Sequence, residues 1–400
     1  MANVLFVNGN LEGHFNPTLP VAAELIKRGE NVWYFCSKSF ENKVVAIGAH
    51  FLELGDVIED FMHYYKPGGD HPFYKLLEYI IRYDNVMIPQ LLQVIKDMNF
   101  DYIIYDSILG GGFFLKEILN IPVICSNTTF VMDKLPLPQR MLEPGFHPQL
   151  DEFYHLFSSE CKKWNKEIPD VYDFFINKGD INIVYTSREF NGGEYFDESF
   201  HFVGPSIKSR NENRNFPFEL LKDKKTVYIS LGTINNNYEE FYQLCIKALQ
   251  GLEAKIIISV GTKCDITLFK EVPENFVIVE YAPQLEILKS ADLFITHGGF
   301  NSVSEALIYG VPMIVVPMVN DQYMTAKRVE EVGAGIVMKM EEITNEKLLT
   351  NVNLLLEDSK YREASAETGK TFHLEKGYGY EKAADVILEY MERQKNGSSK

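Results

Sequence analysis

Short apolar runs of strand length alternate with helix-forming segments in the first half of the chain, and this alternation restricts the fold more than any other feature. The runs are "VLFVNG" (4–9), "NVWYFC" (31–36), "DYIIYDS" (101–107) and "IPVICSN" (121–127). Helices are predicted over "TLPVAAELIKRG" (18–29), which ends in a terminating glycine, and near 110–119. Strands that alternate with helices pair in parallel. Residues 1–205 are therefore predicted to form one doubly wound domain.

A second series of the same kind follows in the second half of the chain. Its strands are "TVYISLGT" (226–233), "AKIIISVG" (254–261), "NFVIVEY" (275–281), "ADLFITHGG" (291–299) and "PMIVVP" (312–317), with helices near 238–250 and 302–309. We expect a second domain over 226–375, a polar linker over 206–225, and a C-terminal amphipathic helix with a flexible tail over 376–400. The predicted fold class is α/β, with two Rossmann-like doubly wound domains facing across a cleft, the usual ligand site.

Charge, apolar stretches and cysteine content indicate the expected partners, the location of the protein and the state of its thiols. The formal net charge of −17 disfavours nucleic acid or an anionic membrane as the main partner. The N-terminus has no basic region, and no apolar stretch of 18 residues occurs, so we expect no signal peptide, no membrane span and a cytoplasmic protein. The five cysteines are scattered and form no C-x-x-C pair, which predicts reduced structural thiols.

Two glycine-rich turns follow strands of the second domain. In "THGGFNS" (296–302) the turn leads into a helix, so backbone N–H groups and the helix N-terminus favour an anion, and His297, Asn301 and Ser302 add donors. "SLGTI" (230–234) would lie at the same sheet edge, and two facing anion sites suggest a diphosphate. Ser302-x-x-Glu305 is also a good capping box, so an ordinary helix start stays open as an alternative.

The segment "YAPQLEILKSADLFITHGGFNSVSEALIYGVPMIVVPMVNDQ" (281–322) resembles the nucleotide-sugar signature of the UDP-glycosyltransferases. "GHFNPTLPVAAEL" (13–25) and "FVGPS" (202–206) are similar to the bacterial macrolide and flavonoid glucosyltransferases of that family. The likeness covers nearly the whole chain and implies the two-domain GT-B fold. It also implies that a UDP-sugar such as UDP-glucose is a co-substrate and not a tightly bound cofactor.

The resemblance implies a donor-binding role for a set of residues in the second domain. Tyr281, where plant members usually have Trp, would stack on the base, and Ala282 would meet the base through its backbone. The ribose would be held by Gln284 and Glu305, and sugar hydroxyls by Asp321 and Gln322. The diphosphate would be bound by Ser230, Gly232, Thr233, His297, Gly299, Phe300, Asn301 and Ser302.

The first domain carries a candidate base. Its first turn, "NGNLEGHFNP" (8–17), lacks G-x-G-x-x-G, and no acidic residue ends the second strand, which disfavours NAD. The resemblance implies that His14 is the general base and that Asp106 orients it. An imidazole with a pKa of about 6.5 is largely neutral at pH 7 and can accept a hydroxyl proton. The alternatives are a loop or cap role for His14 and a helix cap for Asp106.

The resemblance implies that the enzyme transfers a hexose by in-line displacement with inversion at the anomeric carbon. The expected sugar is glucose, and the expected acceptor is a hydroxyl of a small, largely apolar molecule such as a macrolide or flavonoid. Aromatic side chains between residues 58 and 150 are candidates for the acceptor pocket, namely Tyr64, Tyr65, Phe73, Phe113 and Phe130. The sequence contains no Asp-x-Asp motif, and no His/Cys cluster in it has metal-ligand spacing. No bound metal ion is therefore expected. A nucleotide-sugar epimerase and a nonenzymatic nucleotide-sugar-binding protein stay open as alternatives, and the oligomeric state is not predicted.

Overall fold

Two compact units make up the chain in the computed structural model. The first contains Met1–Ser206 and Gly377–Lys400, and the second contains Ile207–Lys376. The structure describes residues 1–55, 57, 71–135, 137–168, 170–208, 216–221, 224–232, 238–319 and 321–397. Each unit is built from a parallel sheet with helices, which confirms the predicted fold class of two Rossmann-like units.

Parallel strands and helices alternate along the first unit. In chain order they are β1 (Asn3–Val7), α1 (Glu12–Phe15), α2 (Thr18–Lys27), β2 (Asn31–Ser37), α3 (Glu41–Ala46), β3 (His50–Leu54), α4 (Pro72–Ile95), β4 (Tyr102–Asp106), α5 (Gly112–Leu119), β5 (Val123–Asn127), α6 (Pro148–Lys163), α7 (Val171–Ile176), β6 (Ile181–Val184), α8 (Arg188–Asn191) and β7 (Phe200–Phe202). The described strands form one sheet in the order β3-β2-β1-β4-β5-β6-β7.

The second unit repeats the pattern. It contains β8 (Thr226–Ser230), α9 (Glu239–Leu249), β9 (Lys255–Ser259), β10 (Phe276–Val279), α10 (Gln284–Leu288), β11 (Leu293–Thr296), α11 (Phe300–Ile308), β12 (Met313–Val315), α12 (Asp321–Glu331), β13 (Gly335–Val337), α13 (Asn345–Glu357) and α14 (Ser359–Lys370). Its described strands form a parallel sheet in the order β10-β9-β8-β11-β12-β13.

The last helix, α15 (Gly379–Gly397), returns to the first unit. Its apolar side chains Ala383 and Ile387 join the core that also contains Val21 and Leu25 of α2. The amphipathic pattern of this segment predicted a helix with one apolar face, and the core of the first unit covers that face.

Both faces of the first sheet are covered by helices, as the near-continuous apolar strands require. Along β1, Leu5 and Val7 face one core, whereas Val4 and Phe6 face the other. All five cysteines are buried and free, which confirms the prediction of reduced structural thiols. Within the described parts of the chain, no helix is both long and apolar enough to cross a membrane.

Each sheet has one place where the strand order reverses, which we call its switch point. The switch points locate the candidate sites. In the first unit the chain goes from β1 to β2 and β3 on one side, and returns to add β4 on the other side of β1. In the second unit β8 and β11 are the equivalent neighbours. Loops that leave neighbouring strands in opposite directions create a crevice at the carboxyl ends of these strands, where open α/β sheets bind ligands.

Candidate functional site

His14 and Asp106 lie together at the switch point of the first unit. Asp106 is the last residue of β4, and His14 lies in α1, which follows the neighbouring strand β1. The His14 Nδ1 and Asp106 Oδ2 atoms are 2.8 Å apart. The Asp106 side chain is fully buried, and that of His14 is 18% exposed. The structure therefore brings the two sequence-predicted residues into direct contact and leaves the imidazole partly open to solvent.

The charge of Asp106 is stabilised in place. Burial raises the pKa of its carboxyl group, but His14 and hydrogen bonds from the backbone of Leu109 and Ile108 outweigh burial, and the net pKa is lowered. An ionised carboxylate can only accept, so the Nδ1 atom of His14 carries the hydrogen in this pair. The lone pair that can accept a proton is then on Nε2.

Asp106 does not cap the following helix α5, whose N-cap is Gly111 with no side-chain hydrogen bond, so the helix-cap alternative is wrong. Its Oδ1 atom accepts hydrogen bonds from the backbone N–H groups of Ile108 at 3.0 Å and Leu109 at 2.7 Å, as in a local turn cap. Its Oδ2 atom is the partner of His14. Oδ1 therefore holds the turn after β4, and Oδ2 contacts the imidazole. The hydrogen bonds from the backbone fix the orientation of the carboxylate toward the imidazole.

The equivalent place in the second unit is occupied by His297, directly after β11, and by Gly232, two residues after the end of β8. Gly232 has φ of +81°, and a Cβ atom on it would lie 2.6 Å from His297 Cε1. A Cβ atom on Gly299 would lie 2.6 Å from His297 Nε2. Since such distances are far below van der Waals contact, the glycines are needed to admit the ring.

His297 is neutral at physiological pH in this setting. Burial lowers the pKa of its imidazole to about 4, and the Ser230 backbone acts more weakly in the opposite direction. A neutral ring has one N–H donor, so His297 can bind an anion by hydrogen bonding without carrying a positive charge in the free protein. Ser230 is itself buried, and its Oγ atom accepts from the Gly232 N–H at 3.4 Å.

The start of α11 differs from a capping box. Gly299 is the N-cap and Phe300 the first helical residue, so Ser302 lies inside the first turn. The capping-box alternative is therefore wrong for Ser302. The Gln284 Nε2 atom instead donates to Ser302 Oγ at 3.2 Å and to Glu305 Oε2 at 2.7 Å. The structure thus joins three residues predicted to bind the sugar donor, and no side chain caps the N-terminus of α11.

The remaining predicted donor residues lie on loops and helix starts of the same unit. Asp321 is exposed at the first position of α12, and the neighbouring Gln322 is buried. Tyr281 is 44% exposed, enough to stack on a base, while Ala282 is buried. Phe300 is buried and Asn301 half-buried at the start of α11. Thr233 lies outside the described residues.

Two contacts at this site were missed by the sequence interpretation. The Gln322 Oε1 atom accepts from the backbone N–H groups of Met318 at 2.9 Å and Val319 at 3.2 Å, so its side chain also fixes the loop after β12. The Tyr228 hydroxyl lies 3.4 Å from Gln284 Oε1. The Tyr228–Gln284 contact has no sequence signal, because it joins β8 to the start of α10 across 56 positions of the chain.

The three acceptor-pocket candidates that the structure describes pack against other aromatic side chains of the first unit. Phe113 packs against Phe114, Phe157 and Phe174, and Phe130 is buried against Phe190. Phe113 is half-buried among α5, α6 and α7, and Phe130 packs on α8, so neither contact supports a pocket role. Phe73 is half-buried and stacks edge-on to Phe175, whereas Tyr64 and Tyr65 lie outside the described residues.

Metal ligands are not clustered in the part of the chain that the structure describes. No group of three or more His, Cys, Asp or Glu side chains there could hold a metal ion. The polar groups at the two switch points are instead one His–Asp pair and a set of neutral donors with a helix N-terminus.

Comparison with known proteins shows which proteins this chain resembles. The family described as "Erythromycin biosynthesis protein CIII-like, C-terminal domain" matches residues 243–372. The uncharacterised UDP-glucosyltransferase YojK of Bacillus subtilis is 35% identical over 403 aligned residues, covering 98% of both chains. The NDP-glycosyltransferase YjiC of Bacillus licheniformis is 33% identical, covering 97% of this chain and 98% of the relative.

A solved structure shares the fold. The crystal structure of the calicheamicin glycosyltransferase CalG4 is similar with a TM-score of 0.83 and 23% identity, covering 98% of this chain and 99% of the other. The GT-B fold predicted from the sequence is thus confirmed. With full-length relatives at this level of identity, the chain belongs to the bacterial UDP-glycosyltransferase family of sugar-transferring enzymes.

Proposed function

We propose that the protein transfers glucose from UDP-glucose to a hydroxyl group of a small, largely apolar natural product, with inversion at the anomeric carbon. The observation that carries this proposal is the His14–Asp106 pair, 2.8 Å apart at the switch point of the first sheet. A hydroxyl nucleophile needs a base, and the Nε2 atom of a partly exposed imidazole is suited to that task.

The proposed reaction is one displacement. His14 Nε2 accepts the proton of the acceptor hydroxyl as its oxygen forms the new bond to the anomeric carbon. The bond from that carbon to the diphosphate oxygen breaks, and its electron pair leaves with UDP. Asp106 stabilises the imidazolium ion that forms, because its carboxylate is ionised and held by two backbone N–H groups.

The donor would be held by the second unit. The α11 N-terminus and the His297 side chain suit a diphosphate, since both offer N–H donors to anionic oxygens. Gln284 and Glu305, which are hydrogen-bonded to each other at 2.7 Å, would hold the ribose hydroxyls. Tyr281 would stack on the base. These neutral donors would stabilise the leaving group, so we propose a reaction that needs no metal ion.

The donor and the acceptor class also rest on named relatives. YojK is named a UDP-glucosyltransferase, which favours UDP-glucose as the donor. The matching family is named after erythromycin biosynthesis, and the structural neighbour CalG4 is a calicheamicin glycosyltransferase. Both names point to large, mostly apolar natural products as acceptors, and a macrolide or a flavonoid is the class to test first.

A donor-by-acceptor screen tests this proposal. Several UDP-sugars and dTDP-glucose are incubated with macrolides, flavonoids and nucleosides, and products are identified by mass spectrometry. We expect a mass gain of one hexose with UDP-glucose, and a β-glycoside by NMR from the α-configured donor. A rearranged donor without added acceptor would instead support an epimerase, and an α-glycoside would contradict the single displacement.

A further inference from the structure

The helix that carries His14 is too short to hold that residue in place by itself. Helix α1 has four residues, and no side chain caps its N-terminus. One turn of helix fixes several backbone dihedral angles for a single hydrogen bond, so isolated turns are unstable in water. Contacts with the rest of the unit must therefore determine where the His14 imidazole lies.

A buried polar cluster lies beside this turn. It consists of Asn8, directly after β1, Tyr34 on β2, and Thr18 at the start of α2. All three side chains are buried. The Asn8 Nδ2 atom is 3.2 Å from Thr18 Oγ1 and 3.3 Å from the Tyr34 hydroxyl, and the Thr18 and Tyr34 hydroxyls are hydrogen-bonded to each other.

The hydrogen bonds of the cluster run in one direction. The Thr18 hydroxyl donates to the backbone carbonyl of Phe15 at 2.7 Å. A hydroxyl has one hydrogen, so the Tyr34 hydroxyl must donate to Thr18. The two hydrogens of the Asn8 amide are shared among the Thr18 hydroxyl, the Tyr34 hydroxyl and the His14 carbonyl oxygen. The chain of donors therefore ends on the carbonyl group of Phe15, the residue after His14. Loss of any hydroxyl breaks it.

The orientation of Asn8 adds a second link to the same turn. Its Nδ2 atom lies 3.5 Å from the His14 carbonyl oxygen. Since that oxygen can only accept, the reversed amide would place two acceptors against each other. The opposite Asn8 Oδ1 atom is buried and has no partner among the described residues, which is unfavourable for stability. The amide is thus oriented toward the His14 turn despite an unsatisfied oxygen.

We propose that Asn8, Thr18 and Tyr34 are positioning residues that hold the His14 imidazole in line for proton transfer. This inference rests on the proposed role of His14 as the base. The cluster touches backbone carbonyls of residues 14 and 15 and no reacting atom, so it acts on the turnover number and not on donor binding. A base displaced by 1 Å can lose about a hundredfold in rate.

The test compares variants that remove a hydroxyl of the cluster with control variants that do not. Tyr34→Phe and Thr18→Val each remove one hydroxyl of the cluster. Tyr102→Phe is the control, because Tyr102 is buried in the same core and its hydroxyl has no partner in the described chain. Thr18→Ser restores the hydroxyl. The rate is that of UDP-glucose hydrolysis, in which water is the acceptor and no natural acceptor needs to be known.

We expect Tyr34→Phe and Thr18→Val to slow hydrolysis about ten- to a hundredfold with unchanged UDP-glucose binding. Tyr102→Phe and Thr18→Ser should keep the wild-type rate. Transfer to 4-nitrophenol, which is acidic enough to react as its anion, should be affected much less. Equal losses with water and 4-nitrophenol, or a wild-type rate for both cluster variants, would overturn the inference.

The variant His14→Ala separates this inference from the function on which it rests. If His14→Ala hydrolyses UDP-glucose as fast as the wild type, the assignment of the base itself fails. If His14→Ala is slow and the two cluster variants are normal, the base assignment stands and the cluster is only part of the core.

Discussion

The substitution Gly299→Ala isolates the role of the His297 ring. Gly299 has φ of −60° and ψ of 133°, which alanine adopts without strain. The added Cβ atom would lie 2.6 Å from His297 Nε2 and 2.9 Å from Cε1. Ordinary carbon contacts begin near 3.5 Å, so the ring must move by about 1 Å. The backbone N–H of residue 299 is retained.

The size of the effect follows from the hydrogen bond that moves. A bond to a charged acceptor contributes about 1.5–3 kcal/mol, so the dissociation constant of UDP-glucose should rise by about 10- to 150-fold. Calorimetry with UDP-glucose measures this. Gly251→Ala is the control, because its Cβ atom would meet nothing within 4 Å, and binding should stay at the wild-type value.

A double variant separates the ring from the methyl group. In the His297→Ala background the clash partner is absent, so adding Gly299→Ala should cost no further affinity. Wild-type binding by Gly299→Ala would refute the role of His297 as a diphosphate donor. A further loss in the double variant would show that the methyl group itself meets the phosphate.

Three other outcomes are expected. The pKa of His297 is about 6.5 in the unfolded chain and about 4 in the folded protein, so between these values the unfolded chain binds more protons. Stability should therefore fall by a few kcal/mol as pH drops through this range, and urea unfolding should show a smaller fall for His297→Gln. UDP should bind more tightly than AMP or NAD in calorimetry; equal affinities would contradict the donor site. Glucosyl transfer should survive EDTA, whereas abolition by EDTA with rescue by Mn²⁺ would contradict a metal-independent reaction.

Local sequence patterns predicted much of the fold. The helices expected near 238–250 and 110–119 are found at Glu239–Leu249 and Gly112–Leu119, because apolar periodicity and terminating residues act within a few positions. The packing of α15 against α2 could not be predicted in this way. It depends on a partner more than 350 positions away, with Arg28 and Asp385 paired across 357 residues.

The sites show the same division. The strand ends located His14, Asp106 and His297, since parallel strands collect their following loops at one edge. The Ser302-x-x-Glu305 pattern was misleading, because Gln284 from another helix binds both side chains. The Asn8–Thr18–Tyr34 cluster had no signal, since its three residues come from three different elements and only the folded turn brings them together.

The central claim is that His14 and Asp106 act as one unit in proton removal, and a double-mutant cycle on the turnover number tests it most directly. General-base catalysis contributes about 10²–10⁴-fold, so His14→Ala should lower kcat by that factor with little change in UDP-glucose affinity. Asp106→Asn should lose less, and the double variant should be hardly slower than His14→Ala. Fully additive losses would contradict the paired role, and a normal kcat for His14→Ala with a weakly acidic alcohol would remove the base.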